Sequence, residues 1–134
     1  MLKRDLSSMG KKNRQYGDFL VESNMIMKLG TDIVHIPRFE KTLRESREYF
    51  EQNVFCPEEW ADSSIEKLAG RFAAKEATLK ALGIKAGRWQ EICVKNSEDG
   101  KPFLASFLMQ KKWKHELSIS HDGEYAIAVV VFYR

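Results

Sequence analysis

The sequence predicts an α+β domain in which an antiparallel sheet packs against one long central helix. Three observations carry the prediction. Leu68 to Gly83 is alanine-rich and free of proline, as a long helix requires. Met27 to His35 reads as a single strand ahead of it. Beyond it, Trp89 to Tyr133 carries several strand-like stretches separated by Asn, Asp and Gly turn signals, the pattern of antiparallel hairpins.

The chain has 134 residues, enough for one domain and a tail, and 43% hydrophobic content supports a real core. No apolar run approaches the ~18 residues of a membrane span, and the N-terminus carries no apolar stretch of the secretory kind. Cys56 and Cys93 show neither metal nor redox spacing, so they are expected as reduced thiols in a cytosolic protein. The net charge of +3 says little about partners. Residues 27–134 carry only +1 of it, so bulk electrostatics do not argue for nucleic acid.

Residues 1–26 are polar and without clear period, and are expected to form an N-terminal tail or extension to a working domain of residues 27–134. In the strand 27–35, Met27, Leu29, Thr31 and Ile33 share one face, and Lys28, Gly30, Asp32 and Val34 the other. Asp32 then lies near the end of a central strand, with Gly30 leaving open space beside it. It is either a site carboxylate or a cap for the next turn. Pro37 opens a helix over about residues 37–50. Arg38, Lys41 and Arg44 form its basic edge, either a solvated face or a docking edge for an acidic partner. Pro57 to Trp60 reads as a short helical turn.

The central helix is placed at about residues 64–82, with Ser63 and Glu66 as a capping box and Gly83 as the stop. Ile65, Leu68, Phe72 and Leu79 share one stripe, and Glu76 falls inside it. A carboxylate on an inward face is costly unless something cationic meets it. Lys75 and Lys80 flank the stripe, and Ala69, Ala73 and Ala77 allow close approach. Such a helix suits a metal ion and phosphates. The alternative is an ordinary Glu76–Lys80 surface pair, worth about 0.2–0.5 kcal/mol.

Strands are expected at Trp89–Lys95, Lys101–Phe107, Glu116–His121 and Glu124–Tyr133, the last buried on both faces. Residues 108–114 are expected as a short helix or loop. Asp122-Gly123 signals a hairpin that leaves His121 at a strand end on the core-facing side. A lone histidine there is structural as readily as catalytic.

Gly30-Thr31-Asp32-Ile33, Arg71-Phe72-Ala73-Ala74-Lys75-Glu76-Ala77 with Lys80-Ala81-Leu82-Gly83, Gly100-Lys101-Pro102, and Ser118-Ile119-Ser120-His121-Asp122 resemble, in order and spacing, the motifs of one family. The resemblance spans residues 27–134 and is to the holo-[acyl-carrier-protein] synthases, the small type of 4′-phosphopantetheinyl transferase. It implies that fold, and transfer of 4′-phosphopantetheine from coenzyme A to a serine of apo-acyl carrier protein, in support of fatty acid biosynthesis. Adenosine 3′,5′-bisphosphate is the other product. It further implies Mg²⁺ held by Asp32 and Glu76, with Glu76, Lys80 and His121 as catalytic residues. Coenzyme A contacts are implied from Lys75, Lys80, Gly83, His121 and Asp122, and acyl-carrier-protein docking on Arg38, Lys41 and Arg44. A homotrimer in the cytoplasm, with no membrane and no nucleic acid, completes the expectation. The serine proton could pass to Glu76, to a water on the metal or to the His121–Asp122 pair.

Two features depart from the family pattern. The loop Gly83–Arg88 is shorter than the family's glycine-bearing loop, and residues 1–26 lie outside the pattern. The rival reading is a catalytically inactive module that binds coenzyme A or carrier protein, against which the presence of Asp32, Glu76 and Lys80 counts. A nucleic-acid-binding domain is a third, disfavoured by the near-neutral core.

Overall fold

A computed structural model describes residues 24–61, 63–106 and 112–134. Most of the predicted extension, and part of the predicted 108–114 segment, lie outside them. The elements run β1 (Met27–His35), α1 (Ile36–Glu45), α2 (Arg47–Asn53), α3 (Pro57–Trp60), α4 (Ile65–Leu82), β2 (Ile92–Asn96), β3 (Pro102–Ser106), β4 (Lys114–Asp122) and β5 (Tyr125–Tyr133). The order β1-β5-β4 makes one antiparallel sheet, and β2-β3 a separate hairpin.

The strand Met27–His35 and the long helix form where the sequence places them, and the central strand is β5. β1 is an edge strand, paired from Met27↔Tyr133 to His35↔Tyr125. Ile26 also exchanges backbone hydrogen bonds with Arg134, so pairing begins one residue inside the predicted extension. The expected helix over 37–50 divides at Ser46, whose φ of −132° interrupts the helical path. It starts at Ile36, where His35 Nδ1 accepts the Arg38 N–H at 3.4 Å. The cap of α4 is Ser64, which accepts the Lys67 N–H at 3.3 Å. Ser63 is unavailable for that task because its hydroxyl donates to the Glu59 carbonyl and accepts from Arg71. Gly83 closes the helix in the left-handed region, φ 68°. Trp89–Glu91 is a 3-10 turn, not the start of a strand.

The inner face of the sheet lies under α4. Ala126, Ala128 and Val130 of β5 are buried against Ala69, Ala73, Ala74 and Ala77 of the helix. Small residues on both sides let helix and sheet approach closely. Gly30 is the extreme case. A Cβ there would lie 1.9 Å from the Ala77 carbonyl oxygen, so the space expected beside it is filled by helix backbone.

The outer face of the sheet is different. Leu29 and Ile33 are 67% and 62% exposed, and Ile127 and Val129 on β5 are 41% and 37% exposed. β5 therefore alternates within the single chain and is not buried on both faces. A second cluster, of Phe39, Phe50, Phe55 and Phe72, fastens α1 and α2 to α4, with the Phe39 and Phe72 rings stacked at 5.5 Å.

The cysteines are not free thiols. α3 and β2 bring Cys56 and Cys93 to a Cα separation of 5.9 Å, within reach of a disulfide, and the two are joined. Their separation of 37 residues gives no local signal of this. No described helix is long and apolar enough to cross a membrane.

Candidate active site

α4 lies across the sheet with its N-terminal half over β4, where Gly70 meets Ile119, and its C-terminal half over β1, where Ala77 meets Gly30. The helix thereby separates two depressions. One lies between β1, α1 and α4, encloses about 310 Å³, and is lined by Asp32, His35, Arg38, Phe39, Phe72 and Glu76 among others. The other encloses about 530 Å³ and is lined by Lys67, Arg71, Asn96, Gly100, Pro102 and His121 among others.

The first holds the two predicted metal carboxylates. Asp32 alternates onto the helix-facing side of β1, and its side chain is 16% exposed. Lys80, one turn beyond Glu76, donates to Asp32 Oδ1 at 2.8 Å and to the Thr31 carbonyl at 3.1 Å. The expected alternative, a Glu76–Lys80 surface pair, is not formed. Glu76 is half-buried, and its Oε1 accepts the indole N–H of Trp89 at 2.8 Å. No other hydrogen bond to Glu76 occurs among the described residues, and Glu76 lines the groove.

This donor set fits a hard divalent cation. Mg²⁺ is held by one or two carboxylates, with waters and substrate phosphates completing the shell. The Lys80 ammonium on Asp32 already marks where positive charge is held.

Lys75 departs most from expectation. It does not stand at the rim of the helix, where a phosphate could reach it, but is fully buried. Its Nζ pairs with Glu59 Oε1 at 2.6 Å and donates to the carbonyls of Ile92 at 2.5 Å and Trp89 at 3.1 Å. Glu59 is buried too, and accepts the backbone N–H groups of Cys56 and Val94. Burial pushes the Lys75 ammonium below the ordinary lysine range, against the opposing pull of Glu59.

His121 is exposed at the end of β4 and lines the larger depression. β5 separates it from β1, and α4 stands between it and the carboxylate groove within one chain. Asp122 is exposed beside it, and Gly83 is the helix cap; neither lines either depression. Arg38, Lys41 and Arg44 are all exposed along α1, and Arg38 also lines the carboxylate groove.

Sequence reasoning missed Trp89, Glu59 and the Lys67–Arg71 pair. Only the last had a local signal, two cations one helical turn apart on α4. Trp89 and Glu59 meet their partners through tertiary packing.

Two carboxylates in one groove, a lysine bound to one of them, and a cavity across the helix lined by Glu66, Lys67, Arg71 and His121 define the class as an α+β domain with charged depressions on both sides of its long helix. Comparison with known proteins narrows this. The family model of the 4′-phosphopantetheinyl transferase superfamily matches residues 28–130. The chain is 39% identical over 120 residues to a holo-[acyl-carrier-protein] synthase of Ehrlichia chaffeensis, covering 81% of this chain and 98% of that one. It is 41% identical to the Geobacillus kaustophilus protein of the same name, covering 82% and 91%. Among solved structures, the Bacillus anthracis holo-(acyl-carrier-protein) synthase in complex with CoA (3′,5′-ADP) superposes with a TM-score of 0.69. It is 36% identical and covers 81% of this chain and 97% of that one. The Helicobacter pylori holo-[acyl-carrier-protein] synthase in complex with coenzyme A also gives 0.69, at 32% identity, covering 78% and 98%. The chain belongs to the 4′-phosphopantetheinyl transferase superfamily.

Proposed function

We infer that this chain is a holo-[acyl-carrier-protein] synthase. It moves the 4′-phosphopantetheine of coenzyme A onto a serine of apo-acyl carrier protein, in support of fatty acid biosynthesis. The observation that carries this is a groove lined by Asp32 and Glu76, with Lys80 bound to Asp32, in a chain similar over 81% of its length to an enzyme of that name.

The serine Oγ attacks the phosphorus that bears the pantetheine arm. The bond from that phosphorus to the oxygen bridging toward the nucleotide breaks, and adenosine 3′,5′-bisphosphate leaves. Asp32 and Glu76 would hold Mg²⁺, which when bound neutralises the pyrophosphate charge. Lys80 is more than half exposed and sits on Asp32, so its ammonium can swing to a phosphate oxygen and meet the charge that develops there. With Glu76 proposed as a cation ligand, the serine proton would pass to a water of the cation shell or to the His121–Asp122 pair. Lys67, Arg71 and His121 suit the remaining phosphate of coenzyme A in the larger depression.

The two depressions lie on opposite sides of α4, and the outer sheet face is apolar and uncovered. Both features support a homotrimer in which one copy's His121 reaches toward another's carboxylate groove. Arg38, Lys41 and Arg44 offer an acidic carrier protein a basic edge that ends at the groove. The proposed compartment is the cytoplasm on the similarity to the named synthases alone, because the Cys56–Cys93 disulfide removes the reduced-thiol argument for it.

Asp32→Ala and Glu76→Ala are the test. Each is expected to abolish Mg²⁺-dependent transfer while circular dichroism and the melting temperature stay near wild type. Wild-type rates in either variant would contradict the assignment.

A further inference from the structure

We propose that Trp89 is a positioning residue for Glu76, held in place by the buried Glu59–Lys75 pair. The inference deepens the proposed role of Glu76 and rests on it. Glutamate has three rotatable bonds, and ordering its carboxylate at a groove wall costs entropy unless a partner holds it. Here the Trp89 indole N–H takes Oε1 at 2.8 Å, Oε2 has no hydrogen-bond partner among the described residues, and the residue lines the groove. A hydrogen bond from outside the ligand set fixes which oxygen a cation meets.

Trp89 is itself immobilised from two sides. Its ring lies 6.2 Å from that of Phe72, which shares a helix with Glu76. The backbone of its 3-10 turn is pinned by Lys75, which donates to the carbonyls of Trp89 and of Ile92. Lys75 is rigid in turn because Glu59 holds it in a dry interior. Lys75 and Glu76 are consecutive on α4. One turn of helix thus supplies the acid and also the clamp on the loop that orients it. This gives buried Lys75 a role in place of the phosphate contact expected from the sequence.

Trp89→Phe keeps an aromatic ring and removes the N–H. Mn²⁺ uptake in the presence of coenzyme A, followed by electron paramagnetic resonance, reads the cation site without turnover. Asp32→Ala gives the baseline for cation held by coenzyme A alone. Trp89→Phe is expected to weaken Mn²⁺ uptake by about tenfold or more. Its melting temperature and its coenzyme A affinity measured in EDTA are expected to remain those of wild type. Equal uptake by Trp89→Phe and wild type would overturn the role of Trp89 alone. Parallel loss of Mn²⁺ uptake, coenzyme A affinity and melting temperature would also overturn it, by making Trp89 merely structural. Wild type indistinguishable from Asp32→Ala would contradict the cation site itself.

Discussion

At the scale of single residues, Lys75 and Glu76 are neighbours in sequence with opposite circumstances. Glu76 lines a groove and has one oxygen without a hydrogen-bond partner among the described residues, whereas Lys75 is fully buried. Removing one partner of a buried ion pair leaves the other charged in a low-dielectric interior. Lys75→Met is therefore expected to lower the free energy of unfolding by about 3–5 kcal/mol, measured by urea denaturation. A lysine at the rim that only touched phosphate would change stability by about 0.5 kcal/mol or less, and that result would restore the sequence-based expectation. Glu76 was legible because a carboxylate inside an apolar stripe is anomalous on its own helix. Lys75 was not, because Glu59 reaches it from α3, sixteen residues earlier. Asp32 was legible only as one of two options, since strand alternation gives its face but not the arrival of Lys80.

At the scale of elements, α1 links the proposed site to its protein partner. Arg38, Lys41 and Arg44 are exposed on it, and none forms an ion pair with another described residue. Their charge is free to steer an acidic carrier protein toward the groove. Charge reversal at Arg38 and Arg44 together is expected to raise KM for the carrier protein about tenfold or more. Because such rim charges act on encounter, kcat and KM for coenzyme A should change little. An unchanged carrier-protein KM would return α1 to a solvated face. The span of β1, the C-terminal end of α4 at Gly83 and the Gly123 hairpin could be read from local signals, whereas the α4 cap and the start of β2 could not. Strand order could not, because pairing is chosen by what α4 covers. The two small-residue faces let α4 settle over β1 and β5, which leaves β1 at the edge with β5 in the centre. The same close approach replaced the space expected at Gly30 with helix backbone.

At the scale of the whole molecule, the outer sheet face is the feature a single chain does not account for. Leu29, Ile33, Ile127 and Val129 form a contiguous apolar surface across two paired strands. A patch of this kind marks an interface or an aggregation hazard. The proposed trimer would bury it and bring the two depressions of neighbouring copies together. Replacing Ile33 and Ile127 with Asp is expected to shift the mass seen by light scattering from three chains toward one, with loss of activity. A wild-type chain that runs as a monomer with full activity would contradict that assembly.

The central claim is the transfer itself, and intact-protein mass spectrometry tests it most directly. Apo-acyl carrier protein is incubated with this protein, coenzyme A and Mg²⁺, with and without EDTA. The expected result is a gain on the carrier equal to one phosphopantetheine, dependent on the enzyme and absent with EDTA. No gain on carriers that a known holo-[acyl-carrier-protein] synthase modifies in parallel, with coenzyme A demonstrably bound, would contradict the account and leave a binding protein that has lost turnover.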